Sequence, residues 1–265
     1  MTLHIVVTAK QVMDPETPLS AFQIESGRVV TTGNISPVVN GYDEQAVEAA
    51  LRIKEACGEG KVTVLSYGTD FALDVIKKPL AMGADDLILL QDAAFENSAD
   101  PMLAVTAIVA AIRKLGDVDV VISGRQASDW DNALVPFGIA ESLGWPIATI
   151  ARKIDLTGRL VRVERVLPDG YEVLEADLPA VVTVSNELGT ARYPNMRGIM
   201  NARRIQPTIW SAGDLDVDPT SVEPAFELIS LAKPDRSVET ELITGEDDED
   251  AGRKLALALR EARVV

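Results

Sequence analysis

Four short segments rich in small and polar residues each lie beside an apolar or helical run of the sequence. The segments are Thr8-Ala9-Lys10-Gln11, Asn40-Gly41-Tyr42-Asp43, Ser66-Tyr67-Gly68 and Gly124-Arg125-Gln126-Ala127-Ser128-Asp129. Small residues let a ligand approach the backbone, and hydroxyl, amide and carboxylate groups bind its polar atoms. Each segment alone is typical of an ordinary loop or helix cap, whereas four that meet in one cleft would favour a nucleotide.

The last of these segments runs into a predicted helix that begins near Asn132. The free amides and the positive dipole end of such a helix can hold a phosphate group. The sequence contains neither GxGxxG nor GxxxxGK[ST], so neither a Rossmann fingerprint nor a Walker loop is indicated.

Residues for nucleophilic, acid–base or metal chemistry are not indicated. His4 is the single histidine and lies in a predicted buried strand, which leaves Ser–His–Asp and Cys–His schemes unsupported. Asp129 and Asp131 could form a Mg²⁺ or acid–base pair, but helix capping is favoured. The acidic run 246–250 is explained by the start of a helix predicted over residues 251–262. We therefore predict no catalytic residue and no metal site.

Apolar runs alternate with helical patterns along the first 150 residues. The predicted strands cover residues 3–8, 61–66, 86–90 and 118–123, and the predicted helices cover 43–56, 70–82, 102–115 and 133–143. In the 43–56 helix, Glu44, Glu48 and Arg52 are expected to point outward. A small hairpin is predicted at residues 22–32. This alternation predicts an α/β fold with a doubly wound, mostly parallel sheet, which binds ligands at the carboxyl ends of its strands.

Composition limits the possible locations and partners. With 265 residues, of which 47% are hydrophobic, the chain can form one large domain or one domain with a small addition. No apolar run approaches the roughly 18–20 residues of a membrane span. The net charge of −16 argues against nucleic acid and anionic membranes as partners. The strand-like amino terminus and the single cysteine, Cys57, lead us to expect a cytoplasmic protein without internal disulfides.

The second half of the chain differs in character. Two β-rich runs, 161–166 and 171–174, flank the turn Pro168-Asp169-Gly170, and an apolar run follows at 178–184. Residues 185–205 form a segment that we call the docking loop, in which arginines lie among apolar residues expected to be exposed. These residues are Arg192, Tyr193, Met196, Arg197, Ile199, Met200, Arg203 and Arg204. Such a patch is typical of a partner-binding surface, although a loop and short helix that pack on the chain's own sheet remain an alternative.

Several stretches of the sequence together resemble the β subunit of electron-transfer flavoproteins. They are VVTAKQV (6–12), NGYDEQAVEAA (40–50), LAMGAD (80–85), GRQASDWD (124–131) and the segment 161–184. With the carboxyl-terminal helix, the resemblance covers essentially the whole chain and implies an adenine-nucleotide-binding, HUP-like fold. It implies a domain at 1–184 that includes a hairpin and strand addition at 151–184, the docking loop with a short helix at 185–205, and an arm at 206–265 that packs on the α subunit.

The resemblance also implies a function. The chain would be a carrier subunit rather than an enzyme, paired with an α subunit that holds most of the FAD, and would pass electrons from acyl-CoA dehydrogenase-type flavoenzymes to an acceptor. Its own cleft would bind AMP, or a second FAD in the electron-bifurcating branch. The implied nucleotide contacts are Thr8, Ala9, Asn40, Gly41, Tyr42, Asp43, Tyr67, Gly124, Gln126, Ala127, Asp129, Asp131, Asn132, Ala133, Leu134 and Val135.

Partner contacts follow from the same resemblance. Met196 lies at the position of an apolar anchor that enters a pocket of the dehydrogenase, and Tyr193 and Ile199 lie beside it. Arg192 and Arg197 would steer acidic partner surfaces. Glu164 lies at the position of a glutamate that pairs with an α-subunit arginine.

The identity of the nucleotide remains open at this point, because residues 129–137 match neither branch of the family. Ala133 and Val135 lean towards the bifurcating pattern, whereas Trp130 and Phe137 add bulk that would occupy the space of a second flavin, or would pack on the α subunit. We expect AMP. A stand-alone universal-stress-type sensor is the alternative from another class, but it leaves residues 161–204 and the carboxyl-terminal arm unexplained. An adenylate-forming or hydrolysing enzyme lacks a base, a metal cluster and a lysine motif.

Overall fold

The structure is a computed structural model that describes residues 3–25, 28–31, 35–96, 100–234 and 240–265. Its strands are β1 (His4–Thr8), β2 (Gln11–Val12), β3 (Phe22–Glu25), β4 (Arg28–Thr31), β5 (Val38–Val39), β6 (Lys61–Gly68), β7 (Asp86–Gln91), β8 (Val120–Gly124), β9 (Ile147–Thr157), β10 (Leu160–Leu167), β11 (Gly170–Asp177), β12 (Ala180–Val184) and β13 (Thr208–Trp210). Its helices are α1 (Gly41–Cys57), α2 (Leu73–Ile76), α3 (Lys78–Met82), α4 (Met102–Leu115), α5 (Val135–Leu143), α6 (Met196–Arg204) and α7 (Asp248–Glu261).

Nine strands form one sheet in the order β11-β10-β9-β12-β8-β1-β6-β7-β13. All pairs from β9 to β13 in this order are parallel, and β10 is antiparallel to both of its neighbours, β9 and β11. The predicted doubly wound, mostly parallel sheet is therefore confirmed. The short pairs β2–β5 and β3–β4 lie outside it. The β3–β4 pair confirms the small hairpin, whose turn at residues 26–27 lies outside the described residues.

The central parallel strands of the sheet are buried on both faces because helices cover both. Successive residues of a strand point to opposite faces, so Ile5 and Val7 of β1 pack in one core with α1, and Val6 packs in the other with α4 and α5. Strands buried on both sides read as continuous apolar runs rather than as alternating ones. This is why residues 3–8 could be assigned from the sequence.

Two predicted helices differ from the structure. The helix predicted at 70–82 is two short helices, α2 and α3, that meet at Lys77. Pro79 explains the break, because it lacks an N–H and its ring would clash with the carbonyl of Val75 in a continuous helix. The helix predicted from residue 133 begins at Val135, because Asp131 and Ala133 have left-handed backbone angles (φ 51° and 55°).

No strand was predicted at residues 147–157. Here β9 joins the parallel part of the sheet to the antiparallel strands β10 and β11, which we call the antiparallel extension. The register between β9 and β12 shifts at Ile150, which has φ 52° and donates its N–H to Thr183 Oγ1 at 2.9 Å. Such a bulge bends a strand and increases its twist. It lets β9 leave the parallel layer and pair with β10. The predicted hairpin follows, with Val166 opposite Tyr171.

The chain divides into two compact units, Met1–Leu231 and Ala232–Val265. The first unit extends beyond residue 205, where we predicted that the carboxyl-terminal extension starts, because β13 pairs with β7. In the second unit, α7 begins at Asp248, and Asp247 Oδ1 accepts from Asp250 N–H at 2.8 Å. The acidic run thus lies at a helix start, as predicted. Among the described residues, no helix is long and apolar enough to span a membrane.

Candidate functional site

The topology places a switch point between β1 and β8. The chain runs from β1 to β6 and β7 on one side of β1, and β8 then lies on the other side. Ligands of doubly wound sheets bind in the crevice at the strand carboxyl ends at such a point. Here Thr8 Oγ1 donates to Ser123 Oγ at 2.8 Å across the two strand ends.

A cleft opens at this switch point, with about 790 Å³ of space that includes the part open to solvent. Most of the predicted nucleotide contacts line it, namely Thr8, Ala9, Asp43, Tyr67, Gly124, Gln126, Ala127, Asn132, Ala133, Leu134 and Val135. Residues that the sequence analysis did not predict complete the wall, namely Lys10, Leu65, Glu96, Asp100, Pro101, Ala104, Ile108 and Pro136. Trp130 also lines the cleft.

Asn40 does not line the cleft but holds its loops together. The side chain is buried, its Nδ2 donates to the Gln126 carbonyl at 2.8 Å, and its Oδ1 accepts from Ser128 N–H at 3.3 Å. The backbone N–H of Asn40 donates to the Lys10 carbonyl at 2.9 Å. Asn40 therefore joins the loops that follow β1 and β8 to the start of α1.

Asp43 is buried at the same junction. Its Oδ2 accepts from Lys10 N–H at 2.7 Å, and a Cβ on Gly124 would overlap Asp43 Oδ1 and the backbone of Tyr42. Only glycine fits this approach of α1 to β8. Burial raises the pKa of Asp43 from 3.8 to about 7, against the lowering effect of the hydrogen bond from Lys10.

Gly41 and Tyr42, which were predicted as nucleotide contacts, are not among the cleft-lining residues. Gly41 lines a separate groove with residues of α2, α3 and α6. The Tyr42 ring lies 5.4 Å from the Arg125 guanidinium carbon.

Lys10 is the only basic side chain among the described residues that line the cleft. Its Nζ lies 2.8 Å from Asp129 Oδ2. Asp129 was predicted to cap a helix, and this was wrong, because α5 starts later and Asp129 neutralises Lys10 instead. Asp131 accepts from Gln126 Nε2 at 2.8 Å and likewise caps no helix. Lys10 could have been predicted as a cleft residue from its position in the segment Thr8-Ala9-Lys10-Gln11.

The start of α5 offers fewer amides than the sequence predicted. Pro136 is the second residue of the helix and has no N–H. The helix start therefore has one amide fewer to bind a phosphate. Lys10, whose ammonium group is in the cleft wall, is the residue that supplies a positive charge.

Tyr67 lines the cleft, and its hydroxyl group is buried in the cleft wall. The ring stacks on Phe95 with centroids 4.9 Å apart, and the hydroxyl is buried with no hydrogen-bond partner among the described residues. Burial raises the pKa of Tyr67, and the charge of Glu96 raises it further. The hydroxyl therefore stays protonated at neutral pH and can donate to a ligand.

The docking loop exposes some predicted partner residues and not others. Tyr193 is 89% exposed, Met196 at the start of α6 is 73% exposed, and Arg197 is exposed. Ile199 was expected to be exposed, but it is half-buried in the groove below α6. A Cβ on Gly198 would overlap the Ala81 carbonyl, so α6 packs closely on α3.

Arg192 and Glu164 are both engaged within the chain. Arg192 binds Glu48 and Glu55 of α1. The prediction that Glu48 points outward was wrong, because the side chain is buried beneath Arg192. Glu164 of β10 accepts from Arg152 Nε at 3.0 Å, and the Arg152 guanidinium lies 4.2 Å from the centre of the Tyr171 ring.

The described residues contain no group of three or more His, Cys, Asp or Glu side chains that could hold a metal ion. His4 Nε2 lies 2.9 Å from Thr63 Oγ1, between neighbouring strands of the sheet. Its role there is packing at the amino end of the sheet, away from the cleft.

The chain is similar in sequence to members of one protein family. Residues 28–215 match the family described as the electron transfer flavoprotein domain. The chain is 37% identical over 251 residues to the "Electron transfer flavoprotein subunit beta" of Thermoanaerobacterium thermosaccharolyticum, which covers 92% of this chain and 93% of that protein. It is 34% identical over 267 residues to the "Caffeyl-CoA reductase-Etf complex subunit CarD" of Acetobacterium woodii, covering 99% and 100% of the two chains. It is 37% identical over 229 residues to "Protein FixA" of Azorhizobium caulinodans, covering 83% and 79%.

Asp43→Asn should change how stability depends on pH. Because the pKa of Asp43 is raised in the folded chain, the folded state keeps a proton that the unfolded state loses above pH 3.8, and the wild type loses stability as pH rises towards about 7. Asparagine cannot titrate. Urea unfolding at pH 4.5, 6 and 8 should show the variant gaining about 3 kcal/mol relative to the wild type between the lowest and the highest pH.

Asp74→Asn is the matched control, because Asp74 is exposed on α2. Parallel pH profiles for the wild type and Asp43→Asn would show that the buried carboxyl is not protonated in the folded chain.

Proposed function

Because this chain belongs to the electron transfer flavoprotein family as a β subunit, we propose that it pairs with an α subunit to form a heterodimeric electron carrier. The carrier takes electrons from acyl-CoA dehydrogenase-type flavoenzymes and passes them to a downstream acceptor in the cytoplasm. The single observation that carries this proposal is the similarity to named β subunits over nearly the full length of both chains. The stand-alone sensor is set aside, because that similarity includes the hairpin extension and the docking loop.

FAD, held mainly by the α subunit, supplies the redox chemistry when bound. The residues of this chain contribute a scaffold, a nucleotide cleft and a docking surface. Glu164 supports contact with the α subunit, since it lies on the antiparallel extension beside the exposed Tyr171. An α-subunit arginine would compete there with Arg152.

AMP is the ligand that the cleft of this chain fits best. The protonated Tyr67 hydroxyl is a donor with no hydrogen-bond partner among the described residues, and the small side chains of Ala9 and Ala127 leave the strand ends open to a base or ribose. Lys10 supplies one positive charge for a phosphate, at the end of the cleft where it now pairs with Asp129. Trp130 fills space that a second flavin would need.

The nucleotide can be identified directly. The purified chain, denatured and analysed by mass spectrometry, should release about one AMP per chain, because a cleft at a switch point encloses most of a small ligand's surface. The same measurement on the heterodimer should find one FAD in addition. Two FAD and no AMP per heterodimer would instead identify the electron-bifurcating type.

Trp130→Gly should weaken retention of AMP. The indole lines the cleft, and its removal takes away packing against the nucleotide and lets water enter. The AMP content after extensive dialysis should fall for Trp130→Gly and recover for Trp130→Phe, which keeps an aromatic ring. If AMP content and affinity match the wild type in both variants, Trp130 does not contact the nucleotide.

Met196→Ala should impair electron acceptance without harming the fold. A side chain that is 73% exposed in the free chain loses little on truncation, within about 0.5 kcal/mol. An anchor that is buried in the complex typically costs about 2 kcal/mol or more. With a cognate dehydrogenase, the apparent KM for the flavoprotein should therefore rise, with unchanged flavin spectrum and Tm.

Ile209→Ala serves as the control for this variant, since Ile209 is an exposed apolar residue of the edge strand β13, outside the docking loop. Wild-type kinetics for Met196→Ala would remove Met196 from the docking role. A lowered Tm would show that Met196 packs within its own domain.

A further inference from the structure

Four charged residues join α1 to the first half of the docking loop, and we call them the α1–loop cluster. They are Glu48, Arg52 and Glu55 of α1, and Arg192 of the loop. Three of them lie on one face of the helix, about one or two turns apart. The exposed residues Tyr193 and Met196 of the docking loop follow Arg192 in the chain.

Glu48 is the centre of the cluster and is only 4% exposed. Its Oε2 accepts from Arg192 Nε at 2.7 Å and from the Arg192 backbone N–H at 3.1 Å. Its Oε1 accepts from Arg52 Nε at 2.7 Å. One carboxylate therefore binds a side chain and the backbone of the loop together, which fixes the loop's direction as well as its distance from α1.

Arg192 uses both edges of its guanidinium. Besides Glu48, its Nη1 and Nη2 donate to the two carboxylate oxygens of Glu55 at 2.5 and 3.0 Å. The charge of Arg192 is thus neutralised within the chain by two carboxylates. This geometry argues against the steering role predicted for Arg192 and leaves the exposed Arg197 for that role.

Arg52 fixes the loop one step earlier. Its Nη1 donates to the Leu188 carbonyl at 3.0 Å, and its Nη2 donates to the Thr190 carbonyl at 3.2 Å. On the far side of the exposed segment, Asn195 Oδ1 accepts from Gly198 N–H at 2.9 Å and caps α6, which packs on Ala81. Both ends of the segment 193–196 are therefore held before any partner binds.

We propose that Glu48, Arg52 and Arg192 are positioning residues that hold the docking loop in its partner-binding conformation in the free flavoprotein. This inference rests on the proposed docking function of the loop. A loop that is ordered in advance does not lose further conformational freedom on binding, and a loop that samples other conformations binds with an affinity reduced by the competent fraction.

Arg192→Lys separates positioning from steering. Lysine keeps the positive charge but cannot make paired bonds to two carboxylates with a planar fork. If Arg192 positions the loop, the lysine variant should behave like Arg192→Gln. If it steers through charge, the lysine variant should behave like the wild type.

The experiment uses the heterodimer with its flavin, in the wild-type, Arg192→Lys, Arg192→Gln, Glu48→Gln and Asp86→Asn forms. Asp86→Asn removes a half-exposed surface pair with Lys61, 2.7 Å apart, between the first residues of β7 and β6, and is the matched control. Two quantities are measured: hydrogen exchange of the backbone amides in residues 188–199, and the apparent KM and kcat with a cognate dehydrogenase at two salt concentrations.

Both Arg192 variants and Glu48→Gln should exchange these amides faster and raise KM about threefold to tenfold with little change in kcat, since only the competent fraction docks. In a double-mutant cycle, Glu48→Gln should add little to Arg192→Gln, because both act through the same contact. Should Glu48→Gln fail to fold, the two Arg192 variants decide the matter alone.

Wild-type exchange and KM for Arg192→Lys would overturn the inference, as would faster exchange with an unchanged KM. Met196→Ala in the same assay separates this from the docking proposal. A raised KM for Met196→Ala beside a wild-type KM for Arg192→Lys overturns the positioning role alone. Wild-type kinetics for both overturn the docking proposal and this inference with it.

Discussion

The hydrogen bonds between the start of α1 and the loops that follow β1 and β8 hold the candidate site together. In a doubly wound sheet the connections that follow the two strands leave in opposite directions at the switch point, and a crevice opens between them. The width of that crevice depends on how the two loops are held. Asn40 and Asp43 hold them with buried polar atoms, each satisfied by backbone groups of the two loops. Buried polar networks of this kind are rigid when complete, because an unpaired member would carry the full cost of desolvation. Gly124 is a consequence of the same constraint, since no side chain fits between β8 and Asp43.

The helix α1 connects two features that are far apart in the sequence. Its first turn carries Asp43 at the cleft, and its middle turns carry Glu48 and Arg52 beneath the docking loop. Because its apolar stripe is buried in the core on one face of the sheet, the helix is a rigid support for both. The cleft and the docking loop are therefore both attached to the same rigid helix. A nucleotide bound in the cleft would contact the first turn of α1. It would thus stabilise the helix that supports the docking loop without taking part in redox chemistry.

Charge is used locally rather than globally in this chain. The net charge of −16 disfavours binding to polyanions in general. Two individual cations, one in the cleft and one in the docking loop, are paired with carboxylates of the chain. Lys10 is held by Asp129, and Arg192 by Glu48 and Glu55. Lys10 lines the cleft, and its ammonium group would bind the phosphate of the proposed nucleotide. Arg192 binds the buried Glu48 carboxylate, and removing Arg192 would leave that charge with Arg52 as its one cation partner among the described residues. The same residue types thus serve binding in one place and support in the other.

The sequence by itself determined the alternation of the main strands and helices in the first 150 residues, the parallel sheet, the family and more than half of the cleft wall. It could do so because apolar periodicity and short polar strand ends are local properties that appear directly in the order of residues. Only the tertiary structure decided that Glu48 is buried, that Lys10 joins the cleft, that Asp129 is a counter-ion rather than a cap, and that Arg192 supports the loop. Each of these depends on a partner between 100 and 150 positions away in the chain. The left-handed residues Asp131 and Ala133 also delay the start of α5, which leaves Asp129 outside the helix. A helical pattern shows that Glu48 lies off the apolar stripe, but the arginine that makes its burial favourable comes from a loop that only the folded chain brings to it.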